Sequence, residues 1–200
     1  MTSLDERLPR HAAGSASFSW WGMVMLIVTE AMLFVSLFGA YFYLRFTSGP
    51  VWPPGGIDKP SLVLPLVMSV VLWSSSIPVH LAARAAEKGD RSRLKLGLLI
   101  GFVLGAAFLG VQLIVEWPEA AHEFLPADNS YGALFFTLTG LHGAHIAVGL
   151  IMNAFVQAQA WRGHYGPHDH VTVQNFTLYW DFVDAMWVLI LVTLYLSPHL

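Results

Sequence analysis

The stretch WWGMVMLIVTEAMLFVSLFGAYFYL, residues 20–44, contains one formally charged side chain, Glu30. A helix rising about 1.5 Å per residue needs about 20 apolar residues to cross a hydrocarbon core of about 30 Å, and this stretch exceeds that length. Four stretches of the same character follow at 62–83, 96–115, 131–160 and 176–196. Each is about twice the length of a barrel strand and lacks the alternation of polarity such strands carry, which excludes a transmembrane β-barrel. The whole chain agrees with this reading: 200 residues, 56% hydrophobic, 14% aromatic, 12% charged, with a mean hydropathy of +0.58. That is too little charge to coat a soluble globule. The prediction is an all-α integral membrane bundle of five transmembrane helices, with a polar N-terminal segment over 1–19 and a single five-helix domain over 20–200. The polar start carries Asp5, Glu6, Arg7 and Arg10. The apolar stretch after it is too long for a signal-peptide core and has no convincing cleavage site, so the first helix is expected to remain in the mature chain.

Basic residues set the expected orientation. With the N-terminus inside, Arg7, Arg10, Arg84, Lys88, Arg91, Arg93, Lys95 and Arg162 fall on the inner side, leaving Arg45 and Lys59 outside. The tract between the second and third stretches decides it, because it is short and holds five of those cations. The C-terminus is then outside, and the segment 116–128 forms an acidic outer loop with Glu116, Glu119, Glu123 and Asp128. Trp20, Trp21, Trp117 and Trp161 stand at the expected helix ends, where indole rings favour the headgroup region.

Several chemistries are excluded by composition. Without cysteine there is no disulfide, no iron–sulfur cluster, no thiolate-bound copper and no cysteine nucleophile. A net charge of -3 without a long basic run argues against nucleic acid as a partner. The serine-rich context Gly14-Ser15-Ala16-Ser17 precedes the first helix, so no intramembrane serine nucleophile is evident. The only central histidines are His142 and His145, with His80 near a helix end, too few to hold haem or a catalytic metal. The loop residues His164, His168, Asp169 and His170 read as solvated surface rather than a chelating site. No inverted repeat or matched pair of broken helices points to a transporter's substrate site, although a stand-alone proton or solute transporter stays open.

The polar residues inside the apolar stretches are the informative ones. Glu30 lies about 15 Å deep, where an ionised carboxylate costs at least ~2.5 kcal/mol, so it must be protonated, paired or wetted. His142 and His145 share a face of the fourth helix at a similar depth, and either can meet Glu30. Asp181 and Asp184 occupy the inner half of the last helix, with Arg162 or the histidines after it as the nearest expected partners. Gly97, Gly101 and Gly105 form a stripe against which a neighbouring backbone can pack. Pro78 interrupts the second helix near Ser74, Ser75 and Ser76, whose hydroxyls can satisfy local carbonyls.

Five segments, in order, resemble subunit III of the haem–copper terminal oxidases, specifically of cytochrome c oxidase: GMVMLIVTEAMLFVSLFGAYFYLR (22–45), VWPPGGI (51–57), EKGDR (87–91), TGLHGAHIAVG (139–149) and YWDFVDAMW (179–187). The resemblance implies a chain with no redox centre and no catalytic groups of its own, one component of an oxidoreductase complex in the aerobic respiratory chain. It would stabilise the catalytic subunit and assist proton uptake. Haem and copper would reside in partner subunits. The implied partners are oxidase subunits I and II, a small subunit IV and membrane phospholipid, in a bacterial cytoplasmic membrane. The family pattern of the fourth helix points to His145 as the partner of Glu30. Asp181 departs from the family, which has histidine there in Trp-His-Phe-x-x-Asp. The chain also starts after the two extra N-terminal helices that wall a lipid-filled cleft in longer members. Subunit III of a quinol oxidase and an accessory subunit of a nitric-oxide reductase are the related alternatives, and the Trp-Pro-Pro turn favours the cytochrome c branch.

Overall fold

A computed structural model describes residues 18–49, 52–54, 57, 59–166 and 169–199. Arg7, Arg10, Gly14-Ser15-Ala16-Ser17, Val51, Gly55, Gly56 and His168 lie outside the described residues. Among the described residues five helices are long and apolar enough to span a membrane: α1 Phe18–Thr47, α2 Val63–Glu87, α3 Arg91–Glu123, α4 Ser130–Trp161 and α5 Val171–His199. No strand occurs among the described residues. In lipid no water satisfies a backbone amide, so the chain closes its hydrogen bonds within each segment.

The helices are longer than the apolar stretches because polar residues cap them. The Asp90 carboxylate accepts from the Arg93 amide at 3.1 Å and starts α3, and Asn129 Oδ1 accepts from the Gly132 amide at 2.8 Å and starts α4. Gly89 and Gly163, at φ 73° and 78°, sit just past the ends of α2 and α4, where a left-handed residue ends a helix and a side chain would strain it. The expected outer loop 116–128 is a correction: α3 continues through it as far as Glu123. Its backbone widens into a π turn over Gln112–Glu116 before the α-helix Trp117–Glu123. Pro118 has no N–H for the carbonyl four residues back, at Ile114, and the π turn lies at that point. Trp117 is therefore inside a helix and not at its end, with its indole N–H donating to Thr139 Oγ1 at 3.2 Å.

Close packing rests on glycine and tryptophan. A Cβ built on Gly97 would stand 2.5 Å from the Pro78 carbonyl oxygen, and one on Gly101 would stand 2.6 Å from Val79 Cγ2, so α2 and α3 touch along the glycine stripe. Gly105 faces α5 instead, where a Cβ would meet Trp180 Cη2 at 2.6 Å. Gly149 of α4 takes the other edge of the same ring, at 2.7 Å from Cζ3. The Trp180 indole N–H donates to Ser75 Oγ of α2 at 2.9 Å, and the Ser75 hydroxyl in turn donates to the Leu72 carbonyl. About two turns further along α5, Trp187 donates to Ser69, which donates to the Pro65 carbonyl. Two of the three serine hydroxyls near Pro78 satisfy local carbonyls, Ser74 at Val71 and Ser75 at Leu72, whereas Ser76 turns to Asp184 of α5 instead. The turn before α2 is tied down similarly: Trp52 is buried and donates to Tyr41 Oη, which bonds to Ser197 of α5.

This packing sets an expected outcome. Gly105→Val puts a branched side chain into the Trp180 ring and is expected to cost at least about 2 kcal/mol. Gly110→Ala, whose Cβ meets nothing within 4 Å, is expected to be neutral or to gain up to about 1 kcal/mol from helix propensity. Unfolding midpoints of the two variants in detergent compare them. Equal midpoints would show that the Trp180 slot does not hold the bundle.

Candidate functional site

Each intramembrane carboxylate meets a partner on a different helix. Glu30, at the centre of α1, lies with Oε2 3.1 Å from His145 Nε2 of α4, the carboxylate side chain 30% exposed and the imidazole 9%. His145 Nδ1 stands 2.7 Å from the Leu141 carbonyl, which can only accept, so Nδ1 carries a proton. In a neutral ring Nε2 is then an acceptor. The contact therefore holds one shared proton: either the Glu30 carboxyl O–H donates to Nε2, or a protonated imidazole donates to the carboxylate. Phe34 and Phe182 pack against the imidazole at ring separations of 5.2 and 5.9 Å and keep it from turning. Tyr179 donates to the His145 carbonyl at 3.2 Å. Leu26, Ala144 and Val148 complete a cleft that leaves the pair open on one side.

His142, three residues earlier, is turned away from Glu30. It is fully buried and stacks on Trp187 at 5.3 Å with the edge of Phe108 beside it, and neither ring nitrogen has a hydrogen-bond partner among the described residues. The two histidines share a broad face of α4, but they flank opposite sides of it. One meets α1 and the other the α3–α5 interface.

Asp181 and Asp184 need a correction of partner. They face neither Arg162 nor the loop histidines; they face α2. His80 Nε2 lies 3.3 Å from Asp181 Oδ2, both side chains being a little under half exposed, and Ser76 Oγ donates to Asp184 Oδ2. His80 Nδ1 in turn bonds to the Ser76 carbonyl at 2.9 Å. Because α2 and α5 run antiparallel, the i, i+4 pair Ser76 and His80 sets its members against Asp184 and Asp181 in reversed order. Asp184 Oδ1 is buried without a partner among the described residues.

Sequence reasoning missed the most buried carboxyl among the described residues. Glu116, assigned to an exposed loop, is 5% exposed in the π turn of α3 and accepts from the Tyr195 hydroxyl of α5. Gln112, one turn earlier and fully buried, donates to the Thr139 carbonyl at 2.9 Å. The i, i+4 spacing of Gln112 and Glu116 was the available signal, since two polar residues so spaced share a face only if the helix continues. Glu116, Glu119 and Glu123 line one cleft with Tyr195 at this end of the bundle. Among the described residues no group of three or more His, Asp or Glu side chains is placed to hold a metal ion.

Residues 9–198 match the sequence profile of the family described as Cytochrome c oxidase subunit III. The chain is 34% identical over 188 residues to cytochrome c oxidase subunit 3 of Synechocystis sp., covering 92% of this chain and 77% of that protein. It is 33% identical to cytochrome c oxidase subunit 3 of Neurospora crassa, over 87% of this chain and 65% of the relative. It is also 31% identical to cytochrome bo(3) ubiquinol oxidase subunit 3 of Pseudomonas aeruginosa, over 95% and 90% of the two chains.

Proposed function

The chain belongs to the cytochrome c oxidase subunit III family, and from that premise we propose that it is the redox-silent third subunit of a cytochrome c oxidase. As a member it is one component of a multi-subunit oxidase complex and a multi-pass membrane protein. In the proposed role it packs beside the catalytic subunit I, with subunit II and a small subunit IV in the same complex, and haem and copper lie in those partners. The observation that carries the reading is the Glu30–His145 pair: a carboxyl and an imidazole sharing one proton within the membrane. Such a pair can accept or release a proton without moving an electron. His80, Asp181, Ser76 and Asp184 form a second polar set between α2 and α5, half exposed at one end and partly buried at the other, which suits it to collect protons at the membrane surface.

The reading places the N-terminus and the α2–α3 turn on the cytoplasmic side of a bacterial cytoplasmic membrane. The cation-rich stretch from Arg84 to Lys95 supports this. Because the chain has no cysteine, single cysteines report the orientation cleanly. On intact cells an impermeant maleimide is expected to label Glu123→Cys and to leave Ser92→Cys untouched until the cells are opened; the reverse pattern would invert the topology.

Glu30→Gln tests the functional role. Glutamine keeps the size and a hydrogen bond to His145, so the assembled complex should retain its haem and its initial rate of oxygen reduction. The expected change is faster loss of activity over many turnovers, or a shifted pH dependence of turnover. Complete loss of oxygen reduction in an assembled, haem-replete Glu30→Gln complex would place Glu30 in the catalytic pathway and contradict the reading. The Pseudomonas relative favours a quinol-oxidising complex as the second reading. Oxidation of ubiquinol but not of reduced cytochrome c by the unmodified complex would select it.

A further inference from the structure

Outside the carboxylate pairs, α2 and α3 enclose a groove at the end of the bundle where Lys88, Gly89 and Asp90 connect them. Its mouth carries Arg84, Lys88 and Arg93, and its walls are Leu81, Leu96 and Ile100, which are 55%, 58% and 41% exposed. The floor closes where Gly97 touches the Pro78 carbonyl. Asp90 also lines the mouth, but its carboxylate is engaged by the Arg93 amide and by Arg93 Nε at 3.3 Å. Glu87, next in sequence to Lys88, is taken up by Gln174 Nε2 of α5 at 2.9 Å. Among the described residues Arg84 and Lys88 form no salt bridge, so two cations stand uncompensated directly at the end of an apolar wall.

We propose that this groove binds one anionic phospholipid, with its phosphate at Arg84, Lys88 and Arg93 and an acyl chain along Leu81, Leu96 and Ile100. A free anion would use only the mouth and leave the apolar wall unmatched. A zwitterionic lipid would bring its own ammonium group up to the three cations. An anionic lipid satisfies both the charge and the wall at once, and basic pockets between membrane helices take such headgroups. The assignment rests on the orientation proposed above only for the leaflet that supplies the lipid. None of the groove's residues belongs to the Glu30, His145, His80, Asp181 and Asp184 sets.

The test is native mass spectrometry of the full chain in mild detergent, titrated with phosphatidylglycerol and with phosphatidylcholine. The unmodified chain is expected to take up phosphatidylglycerol in preference. Arg84→Gln/Lys88→Gln should weaken that uptake by about tenfold without changing uptake of phosphatidylcholine. Arg84→Lys/Lys88→Arg, which keeps both charges, should restore it and guards against a folding artefact. Equal uptake of the two lipids by the unmodified chain, or equal uptake of phosphatidylglycerol by it and Arg84→Gln/Lys88→Gln, would overturn the proposal. Displacement of phosphatidylglycerol by millimolar inorganic phosphate would reduce the site to an anion-binding rim and overturn the lipid assignment. Haem-bearing subunits that copurify register by mass in the same spectra, so failure of the oxidase reading is seen separately from failure of the lipid site.

Discussion

The Trp180 indole is where four of the five helices meet. It projects from α5 into a slot that exists only because Gly105 on α3 and Gly149 on α4 have no side chains, and its N–H is received by Ser75 on α2. In lipid there is no hydrophobic force to drive helices together, because the tails are as apolar as leucine, so association depends on contact and on polar groups that must find partners. Trp180 supplies both. Its ring fills the slot, and its single donor has no water to turn to. The relay from indole to serine hydroxyl to a carbonyl of the same α2 turn recurs at Trp187 and Ser69, which sets the register of α5 on α2 at two heights.

That register determines where the ionisable groups stand. With α5 fixed on α2, Asp181 and Asp184 come opposite His80 and Ser76, and Tyr195 reaches Glu116 on α3. With α4 fixed on the same ring through Gly149, His145 is turned outward to Glu30 while His142 is pressed against Trp187. The carboxyls are thus compensated across helices rather than along them, and a shift of one helix by a turn would leave several unpaired at once. Asp181 is met by an imidazole delivered by His80 from α2.

The five spans were legible because hydropathy is a local property and each stretch exceeds the thickness of the hydrocarbon core on its own. Helix ends were less so. Asp90 and Asn129 are polar and look like loop, yet as caps they belong to the helices they start. The segment after Glu116 read as loop because it is acidic, whereas helix continuation depends on the π turn that accommodates Pro118, which polarity does not report. Of the site, the depth of Glu30 and the presence of histidine at the same level were readable from position alone, but the choice between His142 and His145 depends on how α4 is rotated, which its neighbours decide. The partner of Asp181 was sought along the chain, at Arg162. It lay across the bundle, since antiparallel packing brings residues about a hundred positions apart to within 3.3 Å.

The central claim is that this chain carries no electron and serves a complex that does. Its most direct test is the reduced-minus-oxidised absorption spectrum of the affinity-purified complex, repeated on this chain after the subunits are separated in detergent. The account predicts haem bands in the complex and none on the separated chain, with the haem recovered quantitatively in the partner fractions. A stoichiometric Soret-absorbing haem that stays with the separated chain would contradict it.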